Sequence, residues 1–337
     1  MTDSSTVLVL GASGRFGGAC VKVFAAMGWR VIALTRRPRR GEPLHGVEGL
    51  VAEDISPANI LARLQHAGRI DVVVHAMNPA YTDAAWTEHV VAMMDHAIGI
   101  ARSLGATLMF PGNVYNFGAD MPPVLDENTP QQPTSVKGKL RVEAEQRMRK
   151  AVKKGGLCAV TIRAGDFFGN GSGSWFDQVL TDKLVSGTFT YPGPLDVATP
   201  WAYLPDLAQT FAEVAEQRQQ LQGLEVLHFS GHSLTGRDWL QALQPLAETN
   251  GWVAAGQPLR TAALPWPLIG LMGLFSAKFS SLSQVRYLYA TPHALANQRL
   301  VALLGSEPHT PLNRAASFAL ADLGLPRGNR ISSLVSP

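Results

Sequence analysis

An α/β fold built on a doubly wound parallel sheet is what this chain predicts, and two observations carry the prediction. Short apolar runs alternate with longer amphipathic ones through the first half, the pattern of strands covered on both faces by helices. The first apolar run, Val7-Leu8-Val9-Leu10, leads straight into Gly11-Ala12-Ser13-Gly14-Arg15-Phe16-Gly17, with glycines three apart. Glycines there allow a tight turn and close backbone approach. The helix that follows offers free N–H groups and a positive dipole end to an anion.

Taken in order, strand β1 is expected at residues 6–10, a first helix at 14–27 and β2 at 30–34. A short β3 at 50–52 ends at Glu53-Asp54 and is followed by a helix at 57–67 and β4 at 71–75. A long helix at 86–103 leads to β5 at 107–110, and a charged amphipathic helix at 137–154 leads to β6 at 159–163. Two irregular segments, 111–136 and 165–200, leave the carboxyl ends of β5 and β6. They are rich in Gly, Pro, Asn and aromatic residues, and ligands of open α/β sheets bind at those ends. Pro205-Asp206 is read as the start of another helix with Asp206 as its N-cap, and 224–229 as a returning strand, the seventh of the sheet. Beyond residue 234 the pattern is helical with proline breaks. The expected division is a Rossmann-type nucleotide-binding domain from 1–164 plus about 202–233, and a smaller C-terminal substrate-side domain from about 165–201 plus 234–330.

Composition narrows the classes. The chain has 337 residues, 46% hydrophobic and 16% charged, enough for a sizeable core. A net charge of +3 argues against a nucleic-acid partner. Cys20 and Cys158 sit in apolar stretches and read as reduced core thiols of a cytoplasmic protein. No secretory signal opens the sequence, and the most apolar late segment, 262–276, holds two prolines and falls short of a membrane span. No membrane partner is expected. The nine histidines show no metal-ligand spacing. Oligomeric state is not legible, which leaves a homodimer open.

The slot at the end of β2 carries the cofactor reading. An NAD binder places Asp or Glu there for the ribose 2′-hydroxyl, but this chain reads Thr35-Arg36-Arg37-Pro38-Arg39-Arg40, with no acidic residue between Asp3 and Glu42. NADP(H) is therefore the expected cofactor. Gly11, Ser13, Gly14, Arg15, Phe16 and Gly17 would form the pyrophosphate turn, and Arg36, with Arg15 or Arg37, would meet the 2′-phosphate.

Further landmarks follow in order: Asp54-Ile55 after β3, His75-Ala76 closing β4, Val114-Tyr115 after β5, and Gly138 with Glu145 in the next helix. With the glycine turn and the tail from Leu303 to Leu312, they resemble the extended short-chain dehydrogenase/reductase superfamily, of the NAD-dependent epimerase/dehydratase type. The resemblance spans nearly the whole chain. It implies that Asp54, Ile55, His75 and Ala76 border the cofactor. Departures matter as much. The positions of the family's catalytic Ser, Tyr and Lys correspond to Pro111, Lys137 and Arg141. A register pairing Ser135 with Lys139 also lacks a tyrosine. The family's phosphate-holding Asn after the β6 arginine corresponds to Asp166, and a carboxylate facing a diphosphate is repulsive.

With the tyrosine replaced, Lys137 is the first candidate proton donor. Burial and the like charge of Arg141 one turn later would both lower its pKa. Alternatively, Lys137 and Arg141 hold the nicotinamide ribose. Tyr115 and Asn113 at the end of β5 are second candidates, the first as a phenol donor, the second as a ligand for a substrate oxygen. Two functions fit: an NADP(H)-dependent oxidoreductase or epimerase-like enzyme on a small-molecule substrate with nonstandard acid–base residues, or a catalytically silent NADP(H)-sensing protein.

Overall fold

A computed structural model describes residues 4–38 and 44–328, apart from the side chain of Lys278; Arg39, Arg40 and the end of the expected second domain lie outside. Strand β1 (Thr6–Leu10) is buried at every position because both faces of the sheet are covered. Val7 and Val9 point into one core, Leu8 and Leu10 into the other, the two-residue alternation of a strand.

Seven strands form one sheet: β1, β2 (Arg30–Thr35), β3 (Val47–Val51), β4 (Val72–His75), β5 (Thr107–Asn113), β6 (Ala159–Ala164) and β7 (Leu224–His228). Their spatial order is β7-β6-β5-β4-β1-β2-β3, and every pairing is parallel. The order reverses between β1 and β4, which opens a crevice beyond their carboxyl ends. Helices α1 (Arg15–Ala26) and α5 (Leu204–Glu216) cover one face. On the other lie α2 (Pro57–Leu64), α3 (Asp83–Leu104) and α4 (Val136–Lys153).

The expected strands are all present, with revised ends. Strand β3 begins three residues before its expected start and β5 runs on through Pro111 to Asn113. Proline is tolerated in this central strand because β4 pairs only as far as Met109; past that point β5 has a single neighbour, β6. The segment 165–200 is not wholly irregular. Asp166–Phe168 pairs with Thr199–Tyr203, which pairs with His232–Leu234, and Thr188–Tyr191 pairs with Arg260–Ala263. These strands are too short for alternation to show in sequence. Asp206 is not the cap of α5: Tyr203 takes that position, while the Asp206 carboxylate accepts from the Thr310 N–H at 2.6 Å and hydroxyl at 2.7 Å. Cys20 is buried, but Cys158 is exposed, since it precedes β6 rather than lying in it.

After β7 the chain is mostly helical: α6 (Gly236–Thr249), α7 (Trp266–Gly273), α8 (Ala277–Ser283), α9 (Tyr287–Ala290), α10 (Gln298–Leu304) and α11 (Leu312–Leu323). Thr235 and Asp238 close a reciprocal capping box at the start of α6. Helix α4 is fixed by a buried bidentate pair. Arg163 on β6 donates to Glu145 at 2.6 and 3.2 Å, and Asn116 donates to the same carboxylate at 2.9 Å. That network ties the middle of α4 to β6 and to the turn after β5.

Candidate active site

The glycine turn sits at the head of the crevice. Gly11 has φ 85°, and a Cβ there would meet the Ala76 carbonyl and Met77 nitrogen at 2.9 Å, so β1 and β4 can close only around glycine. A Cβ on Gly17 would lie 2.3 Å from the Gly11 oxygen, so the third glycine lets α1 pack against the turn. Gly14 differs. It is exposed, its nearest would-be contact is 3.3 Å away, and as N-cap it offers no side chain to the first N–H groups of α1. Those donors stay open to an anion.

The other expected cofactor residues fall into two groups. Ser13, Arg36 and Arg37 are exposed around the turn and the end of β2. Asp54 is exposed beyond β3; hydrogen bonds from the Ser56 N–H and hydroxyl, both 2.8 Å, lower its pKa. Ile55 packs on the core and Ala76 backs Gly11. Phe16 serves packing, edge-on to Phe211 at 4.8 Å. Arg15 donates to the Gly169 carbonyl at 2.7 Å, and Asn170 donates to the Arg15 carbonyl. The loop after β6 is thereby tied to α1. Burial lowers the Arg15 pKa, against the pull of Asp177 and Asp322.

Lys137 lies in the first turn of α4, 1% exposed, with its Nζ 2.6 Å from Asp83 Oδ1. The ammonium also stands 4.5 Å from the Tyr81 ring centroid and 5.7 Å from that of Trp86, a desolvated cation–π setting. Burial pushes its pKa below the usual lysine range while Asp83 pulls it back. Of the two expected causes, burial lowers it and Arg141 does not contribute. Burial raises Asp83, but donation from Lys137, from Ser281 at 2.6 Å and from Gln284 at 2.6 Å outweighs it and leaves the carboxyl lowered.

Arg141 is one turn behind on the same face, 5.0 Å from Trp86 and 5.1 Å from Phe110. It donates to Asn78 at 3.3 Å, and burial lowers its pKa to about 10. His75 packs on Phe110 at 5.2 Å; burial, then Arg141, lower its pKa to about 3 and keep the ring neutral. Tyr115 is buried with its hydroxyl 3.2 Å from that of Tyr81, and burial raises its pKa well above the phenol range. Asn113 caps the turn after β5, its side-chain oxygen accepting from the Tyr115 N–H at 3.1 Å. That oxygen is committed, leaving the amide group of Asn113 as its donor. Ser135 is committed too, capping α4 through Gly138, while Lys139 is exposed.

The structure thus brings Lys137, Arg141 and Tyr115 together and adds groups the sequence did not flag: Tyr81, Asp83, Trp86, Ser281, Gln284 and Tyr289. Asp166 lies close by, its carboxylate accepting from the Tyr289 hydroxyl at 2.5 Å, and burial raises its pKa to about 6. One signal for Asp83 was available. Thr82 is the N-cap of α3, accepting from the Ala85 N–H, and an acid in the first turn after a Thr cap marks a helix start.

A doubly wound sheet with a glycine turn at its switch point defines a dinucleotide-binding protein of the Rossmann class. More narrowly, this chain belongs to the NAD dependent epimerase/dehydratase family, whose sequence profile matches residues 7–227. It is 31% identical over 180 residues to a dTDP-6-deoxy-L-talose 4-dehydrogenase (NAD(P)(+)) of Kitasatospora kifunensis, covering 50% of this chain and 55% of that one. It is 26% identical over 197 residues to a 3-diazoavenalumate denitrifying reductase of a Streptomyces species, covering 55% and 64%. The matched region spans less than two thirds of either relative. The UDP-glucuronic acid 4-epimerase of Bacillus cereus in complex with NAD shares the fold at TM-score 0.71 and 15% identity, covering 94% and 96% of the two chains. So does the UDP-Glc/GlcNAc 4-epimerase of Campylobacter jejuni, at TM-score 0.71 and 11% identity, covering 94% and 98%.

Proposed function

We propose that this protein is an NADP(H)-dependent oxidoreductase or epimerase-like enzyme that acts on a small-molecule carbonyl, with Lys137 in the place of the usual tyrosine. The observation that carries the reading is the buried Lys137–Asp83 pair at 2.6 Å, beside Tyr81 and Tyr115, on the first turn of α4. A lysine whose pKa is lowered by burial can give and take a proton nearer neutral pH than a solvated one.

The bound nicotinamide would supply hydride transfer. The residues present fit such a cofactor: uncapped N–H groups at α1, an exposed Gly14, and an arginine rather than a carboxylate at the end of β2. Arg36 would pair with the 2′-phosphate. Arg141, stacked on Trp86, would face the ribose, and the Asn113 amide and the neutral Tyr115 phenol would orient a substrate oxygen. Lys137 would hold or release the proton, with Asp83 keeping its ammonium in place. The carboxyl of Asp166, in the short strand that follows β6, speaks against a diphosphate lying there.

Titration with NADPH and NADH tests the cofactor. Tighter NADPH binding is expected, by about tenfold to a hundredfold, and Arg36→Ala should abolish the preference. Equal affinities, or a preference that survives Arg36→Ala, would overturn it. A panel of aldehydes, ketones, enones and a dTDP-sugar then tests the chemistry. Lys137→Met should lower turnover about 10²–10⁴-fold while sparing NADPH affinity. Tight NADPH binding without turnover on any substrate would leave the sensing role instead.

A further inference from the structure

Five of the large apolar side chains exposed among the described residues fall within one short stretch, Leu268, Leu271, Met272, Leu274 and Phe275. Four of them, Leu268, Leu271, Met272 and Phe275, follow the i, i+3, i+4, i+7 spacing that lines one side of a helix. Trp266 and Ile269, on the opposite side of α7, are buried. The helix is therefore firmly seated and apolar on both faces. Trp266 donates to the Pro192 carbonyl at 2.6 Å and packs against Trp175 at 6.3 Å. Gly273 meets α8, where a Cβ would lie 3.2 Å from the Ser280 backbone. The outer stripe runs into the turn before α8, where Leu274 is 77% and Phe275 87% exposed.

Along the chain the charge flanking the stripe is one-sided, and Asp83, which reaches the α8 segment in space, is held by Ser281 and Gln284. Residues 249–306 contain no Asp or Glu, and they include Arg260, Lys278, Arg286 and Arg299. Arg299 is paired with Glu225. Arg260 and Arg286 are exposed at the two ends of the α7–α8 segment, Arg286 within 5.9 Å of the Trp266 ring.

We propose that α7 and the turn after it dock the protein peripherally on an anionic lipid surface. Among the described residues no helix is long and apolar enough to cross a membrane, and α7 has only 8 residues. It would lie in the plane of the interface, with Leu, Met and Phe side chains entering the acyl boundary and the arginines meeting headgroups. A second copy of the chain fits less well. A symmetric contact through this face would bring the same cations against each other.

Flotation with vesicles tests this directly, using the full chain and vesicles of phosphatidylcholine alone or with about one third phosphatidylglycerol. The protein should float with the anionic vesicles and far less with the neutral ones, and binding should weaken with salt. The double variant Leu271→Glu, Phe275→Glu should bind at least about tenfold less while melting at the wild-type temperature, because both side chains already face water. Wild-type protein that stays unbound on anionic vesicles would overturn the proposal, as would undiminished binding by the variant. A dimer that the double variant splits, without any vesicle binding, would assign the face to a second copy and overturn it too.

Discussion

Replacing Asp83 by asparagine isolates the energetics of the site. Lys137 is 1% exposed and Asp83 25%, with Nζ and Oδ1 2.6 Å apart, so the ammonium has no water to fall back on. At an effective dielectric constant of about 20, the attraction at that distance is about 6 kcal/mol. The asparagine oxygen still accepts a hydrogen bond from the ammonium, which recovers about 1.5–3 kcal/mol. The net loss in folding stability at pH 7 is then about 3–5 kcal/mol, the size seen when one partner of a buried pair is removed. The pH dependence has a definite sign. Burial lowers the Lys137 pKa and Asp83 opposes it, so without Asp83 the folded-state value drops further below the unfolded value of about 10.4. Between those values the unfolded chain binds more protons, and stability rises with pH. Urea unfolding at pH 7 and pH 9 should show the gap between Asp83→Asn and wild type narrowing at the higher pH. A gap under about 1 kcal/mol at pH 7, or one that does not narrow, would refute a buried, charged Lys137.

Two further predictions concern the glycine turn and the loop after β6. Gly17→Ala places a Cβ 2.3 Å from the Gly11 oxygen and should lower the melting temperature sharply, whereas exposed Gly14→Ala should melt close to wild type and lose cofactor affinity; equal melting losses would contradict the distinct roles. Asp166, raised by burial to about 6, binds a proton in the folded chain that the unfolded chain has already released above about pH 4. Stability should therefore fall as pH rises from about 4 to 6, and Asp166→Asn should flatten that decline in a pH series of thermal melts.

Much of the scaffold was legible because its signals are local. A strand covered on both faces is apolar at successive positions, so β1, β2 and β4 announce themselves within a few residues. The turn at Gly11 to Gly17 requires residues without a Cβ wherever backbone meets backbone. The basic end of β2 is likewise read directly from Arg36 and Arg37, and Lys137 was singled out by the family resemblance. Where the local signals compete, boundaries slip. Pro111 argued for the end of β5, yet the strand continues because only β6 flanks it there.

The partner of Lys137 was a different kind of question. Asp83 lies 54 residues away, and the Ser281 and Gln284 that hold it are 198 and 201 residues further on. No periodicity encodes which helix end will meet which. That depends on α4 being fixed to β6 through Arg163 and Glu145, on α3 packing beside it, and on α8 closing over both. The sequence by itself determined a dinucleotide-type scaffold and its glycine turn, since each follows from residue type at short range. Tertiary structure alone decided that Lys137 is buried, paired and pressed against aromatic rings, because burial and charge pairing are properties of surfaces brought together, not of neighbours along the chain.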